Sequence, residues 1–297
     1  MRILLLGGNG QVGSELRRSL APLGNLVVAT RDGQLNDGGD CEVADLDVPA
    51  SLSALVDHIA PDVVVNAAAY TQVDRAESER DAAFRANAEA PAALAAACAQ
   101  RGTLLVHYST DYVFDGRGTR PYREDDATAP LGVYGASKLA GEAAIRTSGA
   151  RHLVFRTAWV YAAQGRNFLR TMLRLAVERD ELRVVADQFG TPTSAALIAN
   201  VTARALQGSH DRSGLWHLTA SGETSWHGFA QAIVAGAHAR GLIARQPPVL
   251  PIASVDFPTP AARPGYSVLD CQSLQRDFGI DLPEWREGLE CTLDALT

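Results

Sequence analysis

The sequence predicts an α/β fold, a doubly wound parallel sheet with a smaller α/β lobe drawn from the C-terminal half. Three observations carry this. Short apolar runs alternate with helical stretches through the first 160 residues, as in βα units whose sheet is covered on both faces. The first run, Ile3 to Leu6, ends in a glycine-rich loop that opens a helix. Beyond residue 160 the strand candidates become short and scattered among longer helical patterns.

Composition narrows the possibilities. At 297 residues the chain holds one large or two intimate domains. Hydrophobic residues make up 46% and charged residues 21%, the balance of a globular protein. A net charge of −7 argues against nucleic acid or an anionic membrane as a general partner. Only four apolar residues separate Met1-Arg2 from Gly7-Gly8, too few for a signal-peptide core. No run approaches the roughly 18 apolar residues of a membrane span. Cys41, Cys98, Cys271 and Cys291 show no metal-ligand spacing, so a reducing, cytoplasmic setting with free thiols is expected.

The first strand leads into Gly7-Gly8-Asn9-Gly10-Gln11-Val12-Gly13, and Val12, Leu16 and Leu20 follow at helical spacing. The glycines fit two registers, Gly8-x-Gly10-x-x-Gly13 and Gly7-x-x-Gly10-x-x-Gly13. Either lets the backbone approach a pyrophosphate at a helix N-terminus, so this is a dinucleotide-binding loop. Leu26 to Ala29 is the second strand, which places Thr30-Arg31-Asp32 beside an adenosine ribose. An acidic residue here favours the bare 2′-hydroxyl of NAD, and an arginine suits a 2′-phosphate. Arg31 comes first, so the reading leans to NADPH, with NADH open. Cys41 to Asp47 is expected as a third strand, with Asp45-Leu46 bordering the adenine.

Pro49 to Ile59 reads as a helix. Val63 to Ala69 is a strand ending in Ala67-Ala68-Ala69, small side chains that let a cofactor pass close. Ala82 to Gln100 is one long alanine-rich helix packed on a sheet face. Thr103 to Tyr108 is the next strand, ending in Ser109-Thr110-Asp111. Ligands bind beyond the carboxyl ends of such strands, and neighbouring strand residues point to opposite faces, so only one of Ser109 and Thr110 should reach a site. Arg151 to Thr157 is a further strand. Helices near 166–179, 193–206 and 225–239 alternate with strands near 182–185 and 215–218 in the C-terminal lobe. Residues 1–160 form the dinucleotide-binding domain and 161–297 mainly a substrate lobe, interleaved with the sheet.

Lys138 is the only lysine in the chain; the other 26 basic residues are arginine. Arginine cannot give up its proton, whereas lysine's pKa answers to its surroundings. Tyr134 and Lys138 are one turn apart on a helix and share a face. A cation beside a phenol pulls its pKa below about 10, which would make Tyr134 a general acid/base.

The glycine loop and Tyr134-x-x-x-Lys138 with an upstream Ser/Thr resemble the extended short-chain dehydrogenase/reductases, whose Rossmann-like sheet carries a C-terminal substrate lobe. The blocks Asn66-Ala67-Ala68-Ala69-Tyr70-Thr71-x-Val73-Asp74, Ser109-Thr110-Asp111-Tyr112-Val113-Phe114-Asp115-Gly116, Tyr134-Gly135-x-x-Lys138-x-x-Gly141-Glu142, Arg156-Thr157-x-Trp159-Val160-Tyr161 and Arg263-Pro264-x-x-Ser267-x-Leu269-Asp270 look like the dTDP-4-dehydrorhamnose reductase family. That resemblance implies NADPH-dependent reduction of the 4-keto group of a dTDP-sugar, the last step of dTDP-L-rhamnose synthesis. It implies Tyr134 as proton donor, Lys138 lowering its pKa and bonding the nicotinamide ribose, and Thr110 bonding the ketone oxygen. Thr110, Asp111 and Trp159 would contact the sugar nucleotide. Gly10 to Val12, Asp45-Leu46 and Ala67 to Ala69 would line the cofactor, with Gly7, Gly13 and Arg31. Arg263 reads either as a diphosphate clamp or as a salt bridge in the tail.

The resemblance also raises a homodimer bridged by Mg²⁺ through acidic side chains, one of them at the position of Glu15. Ser194-Ala195-Ala196 stands where another acidic ligand is expected, which leaves the metal in question, since Mg²⁺ needs oxygen ligands. Two other functions stay open: reduction of a different dTDP-4-keto-6-deoxyhexose, and a regulatory subunit resembling the beta subunit of methionine adenosyltransferase.

Overall fold

The computed structural model describes residues 1–208 and 212–297. Among these, seven strands form the central sheet: β1 (Arg2–Leu6), β2 (Asn25–Thr30), β3 (Glu42–Val43), β4 (Val63–Asn66), β5 (Leu104–Thr110), β6 (His152–Thr157) and β7 (Gly214–His217). Their order is β7-β6-β5-β4-β1-β2-β3, and every pairing is parallel. The order reverses direction between β1 and β4, which opens a crevice at their carboxyl ends.

The longer helices are α1 (Gln11–Leu20), α2 (Pro49–Ile59), α3 (Ala90–Arg101), α4 (Val133–Thr147), α5 (Phe168–Glu178), α6 (Ala195–Gly208), α7 (Trp226–Ala239) and α8 (Trp285–Asp294). Strand alternation sorts the core into two layers. Ile3, Leu5, Val63, Val65 and Val106 pack with Leu16 and Leu20 of α1 and Ile198 of α6. Leu4, Leu6, Val64, Leu105 and Val154 face Leu52 of α2, Leu94 of α3 and Ile145 of α4. A separate core joins Leu169 and Met172, Phe229 and Ile233, and Trp285 and Leu289 in the C-terminal lobe. No helix of the described residues is long and apolar enough to cross a membrane.

Four elements differ from expectation. The strand at 215–218, read with the C-terminal lobe, is the edge strand β7 and pairs with Leu153 to Arg156 of β6. Together with α6, which packs beside α1, it returns the chain to the sheet. The third strand shrinks to two residues opposite Ala29 and Thr30. Its Val43 is exposed, and Asp45 already turns the chain by accepting from Asp47 N. The β4 ladder stops at Asn66, so the three alanines lie in the loop beyond it.

The alanine-rich segment is not one uniform helix. It starts at Arg80, widens into a π turn over Arg85–Glu89 and resumes as α3. Pro91, in the first turn of α3, has no N–H for the carbonyl four residues earlier, and its ring crowds that carbonyl. That carbonyl belongs to Asn87, and it lies where a Cβ on Gly141 would come within 2.1 Å. The π turn and a side-chain-free position on α4 thus let the two helices meet closely.

Candidate active site

Because all seven strands run the same way, their carboxyl ends bring the glycine loop, Thr30-Arg31, Ala67 to Ala69, Thr110-Asp111 and Ala158-Trp159 to one edge of the sheet. Gly7 takes φ +82°, and a Cβ there would lie 2.7 Å from Ala68 N. A Cβ on Gly13 would lie 2.0 Å from Gly7 O, so α1 approaches β1 only with glycine at that position. Helix α1 begins at Gln11 with no side-chain cap and no acidic residue in its first turn. The N–H groups of Gln11, Val12 and Gly13 have no partner inside the helix. A diphosphate fits this helix end, and Ala67 to Ala69 stand half-buried beside it.

Arg31 is 75% exposed, with Nε 3.7 Å from Asp45. Asp32 turns back to accept from Thr30 Oγ1 and Gln34 N. The arginine, held only by that long and exposed ion pair, is better placed than the acid to meet a ligand at the ribose end. The Leu46 side chain is committed to the core.

Tyr134 and Lys138 lie on α4, and a Cβ on Gly135 would come within 2.2 Å of Tyr112 O, so the helix seats tightly against the end of β5. Asn87 fastens it further, donating from Nδ2 to Ser137 Oγ at 3.1 Å. The expected acidification of Tyr134 is not what the structure shows. Its phenol is pushed up to about 12, first by burial and then by the charge of Asp111, while the Thr110 hydroxyl pulls it back. Lys138 Nζ instead donates to Tyr108 O at 2.6 Å and lies 3.4 Å from His107 Nε2. Sharing a helix face was not sufficient, because the ammonium is spent on a backbone carbonyl. Burial pulls Lys138 down to about 8, opposed by the Glu142 carboxylate. Glu142 itself forms a buried bidentate pair with Arg156 at 2.9 and 2.7 Å.

Thr110 Oγ1 donates to Asp111 Oδ1 at 3.0 Å and accepts from Tyr112 N. Asp111 is 2% exposed, and its Oδ2 has no hydrogen-bond partner. Burial pushes its carboxyl up to about 6, opposed by the nearby Ser267 hydroxyl and by the hydrogen bond from Thr110. Ser109 Oγ is likewise buried and unpartnered; of the two neighbouring hydroxyls, Thr110 is the one beside Tyr134. Tyr112 meets Tyr134 edge to face at 5.7 Å.

Trp159 has φ +47°, costly for a bulky side chain. Its ring stacks on Trp226 with centroids 3.5 Å apart, and a Cβ on Gly190 would strike it at 2.5 Å. Arg263 reaches across the chain to Asp74 Oδ2 at 2.8 Å, an ion pair with a residue far outside the tail. Glu15 is paired with Arg18 one turn on, and no cluster of three or more His, Cys, Asp or Glu among the described residues could hold a metal. Sequence reasoning missed Asn87, Tyr112 and Trp226. The only hint was Asn87, a buried amide in an alanine-rich helix.

The whole chain, residues 1–297, matches the family model described as RmlD substrate binding domain. A dTDP-4-dehydrorhamnose reductase of Burkholderia thailandensis is 51% identical over 310 residues, covering 100% of both chains. The crystal structure of a dTDP-4-dehydrorhamnose reductase from Clostridium acetobutylicum superposes with a TM-score of 0.90 at 35% identity, covering 100% of this chain and 99% of that one. The corresponding Bacillus anthracis protein, solved in complex with NADP, gives 0.89 at 34% identity and 99% coverage of each. The chain belongs to the dTDP-4-dehydrorhamnose reductase family.

Proposed function

We propose that this protein reduces the 4-keto group of dTDP-4-dehydro-β-L-rhamnose to the alcohol with NADPH, giving dTDP-β-L-rhamnose. The observation that carries the reading is that the Thr110 hydroxyl, at the end of β5, acts on the Tyr134 phenol at the same carboxyl-end edge of the sheet as the uncapped N-terminus of α1. The curated relatives carry the reductase name, which favours this over a regulatory subunit or a reductase of another hexose.

The first turn of α1 and Ala67 to Ala69 hold the dinucleotide, and Arg31 meets its 2′-phosphate. When bound, the nicotinamide supplies the hydride for C4 of the sugar. Thr110 donates a hydrogen bond to the ketone oxygen, so charge developing there meets a fixed dipole. Tyr134 then gives up its phenolic proton. A phenol held near 12 is fully protonated at neutral pH, the form a donor needs, and an alkoxide is a far stronger base than a phenolate. Lys138 holds the nicotinamide ribose and returns a proton to Tyr134 between turnovers. Asp111 and Trp159 contact the sugar nucleotide, and Arg263 joins them by exchanging Asp74 for the diphosphate. Residues 1–160 with 195–208 and 212–218 make the cofactor half, and the rest of the lobe makes the sugar half.

The test is NADPH oxidation on adding enzymatically made dTDP-4-dehydrorhamnose, with the product identified as dTDP-L-rhamnose. No NADPH consumption at saturating sugar would overturn the reading.

A further inference from the structure

Around Lys138 the structure holds a buried chain of polar groups that the reaction above does not use. Asn66 ends β4 and is 1% exposed; His107 lies in β5 and is also 1% exposed. Asn66 Oδ1 accepts from Ala68 N at 3.2 Å, and Asn66 Nδ2 stands 3.2 Å from His107 Nδ1. On its other side, His107 Nε2 stands 3.4 Å from Lys138 Nζ.

The hydrogen bonds set a direction along this chain. Flipping the Asn66 amide would turn its NH₂ toward the Ala68 N–H, donor against donor, so Oδ1 faces Ala68 and Nδ2 faces the ring. An amide nitrogen only donates, so His107 Nδ1 must be the bare, accepting nitrogen. Burial and the Lys138 charge keep His107 neutral, well below the ordinary histidine range. A neutral ring with a bare Nδ1 carries its proton on Nε2, where it points at Nζ. An ammonium has three donors and no acceptor, and it repels that N–H. A free amine offers its lone pair to it and still donates to Tyr108 O.

We propose that Asn66 and His107 are positioning residues that lock the imidazole in its Nε2–H tautomer and thereby bias Lys138 toward the free amine, letting it trade protons within the working pH range. The other charged or titratable groups around Lys138 are accounted for. Glu142 on the same helix favours the ammonium, but its carboxylate is taken by Arg156 from β6. Tyr134 on the same helix stays a neutral phenol. Tyr108 on β5 stays a neutral phenol too, paired with Thr202. Asp111, past the end of β5, acts on Tyr134. None of these supplies the opposing N–H; His107 does.

The inference deepens the reading of Lys138 as the group that recharges Tyr134, and its first test needs no turnover. Nitrogen NMR of histidine-labelled protein, with His107 identified among the 7 histidines by its loss in His107→Gln, should show a bare Nδ1 and a protonated Nε2. A protonated Nδ1 overturns the proposal and leaves the reductase assignment standing. The second test is Asn66→Asp, which replaces the donor with an acceptor of the same shape. The tautomer should reverse to Nδ1–H, so Nε2 accepts from an ammonium, and the basic limb of the kcat/KM profile should move up by at least one pH unit (about tenfold in proton affinity). A limb that moves while Nδ1 stays bare reports only the added carboxylate charge and refutes the proposal, and an unmoved limb with a reversed tautomer refutes the link to Lys138. If Asn66→Asp does not fold, the wild-type tautomer still decides.

Discussion

The indole rings of Trp159 and Trp226 lie parallel, with planes within 4° and centroids 3.5 Å apart. Trp226 opens α7, and Trp159 follows β6 with a left-handed backbone. The stack therefore ties the C-terminal lobe to the edge of the sheet and holds Trp159 in a conformation it would otherwise leave. Trp226→Leu should release it, raising the KM for the dTDP-sugar about tenfold, consistent with an aromatic pair worth roughly 0.5–1.5 kcal/mol. The dissociation constant of NADPH should not change. Steady-state kinetics with either substrate varied, together with cofactor titration, check this.

Arg31 stands exposed at the ribose end while Asp32 is occupied by Thr30 and Gln34. Arg31→Ala should raise the NADPH KM by about tenfold, the order expected for one charge-assisted phosphate contact, and spare that for NADH. Equal effects on the two cofactors would remove the 2′-phosphate assignment.

Asp111 carries a buried carboxylate oxygen with no partner, a cost accepted at the site rather than a source of stability. Its folded-state pKa, near 6, is raised, so the folded state binds the proton more tightly than the unfolded chain does. The resulting penalty is fully present above about pH 6 and vanishes as pH falls toward the unfolded value near 4. Asp111→Asn should thus stabilise the ligand-free protein by about 1–3 kcal/mol at pH 8 and progressively less between pH 6 and pH 4, while turnover drops. Denaturant unfolding across that range measures it.

The Arg156–Glu142 pair is 3% and 1% exposed and joins β6 to α4, the helix that carries Tyr134 and Lys138. Glu142→Ala leaves a buried guanidinium uncompensated and should cost about 3–5 kcal/mol. Thermal unfolding would show it. A loss below about 1 kcal/mol would mean that Arg156 finds another partner or water.

Much of this arrangement was legible in the chain itself. Ile3 to Leu6, the glycines after it and the spacing of Leu16 and Leu20 define a strand, loop and helix by local rules, and the structure keeps them. Lys138 was conspicuous because every other basic residue is arginine. What escaped depends on contacts far apart in sequence. Gly214–His217 has the pattern of a lobe strand, and only its pairing with β6 places it at the sheet edge. The π turn at Arg85–Glu89 follows from Pro91 together with the approach of Gly141, 54 residues on from Asn87. Spacing put Tyr134 and Lys138 on one face, yet it could not reveal that Tyr108 O captures Nζ. Asn66 and His107 read as ordinary strand residues until β4, β5 and α4 are assembled around Lys138.

The most direct test is Tyr134→Phe, which removes one hydroxyl and keeps the ring packed on Tyr112. Single-turnover oxidation of bound NADPH by dTDP-4-dehydrorhamnose should slow by about 10²–10⁴-fold, the usual worth of a positioned acid. NADPH should bind within about twofold of wild type, since RT ln 2 is only about 0.4 kcal/mol. Wild-type turnover in this variant would contradict the assignment of Tyr134 as the proton donor.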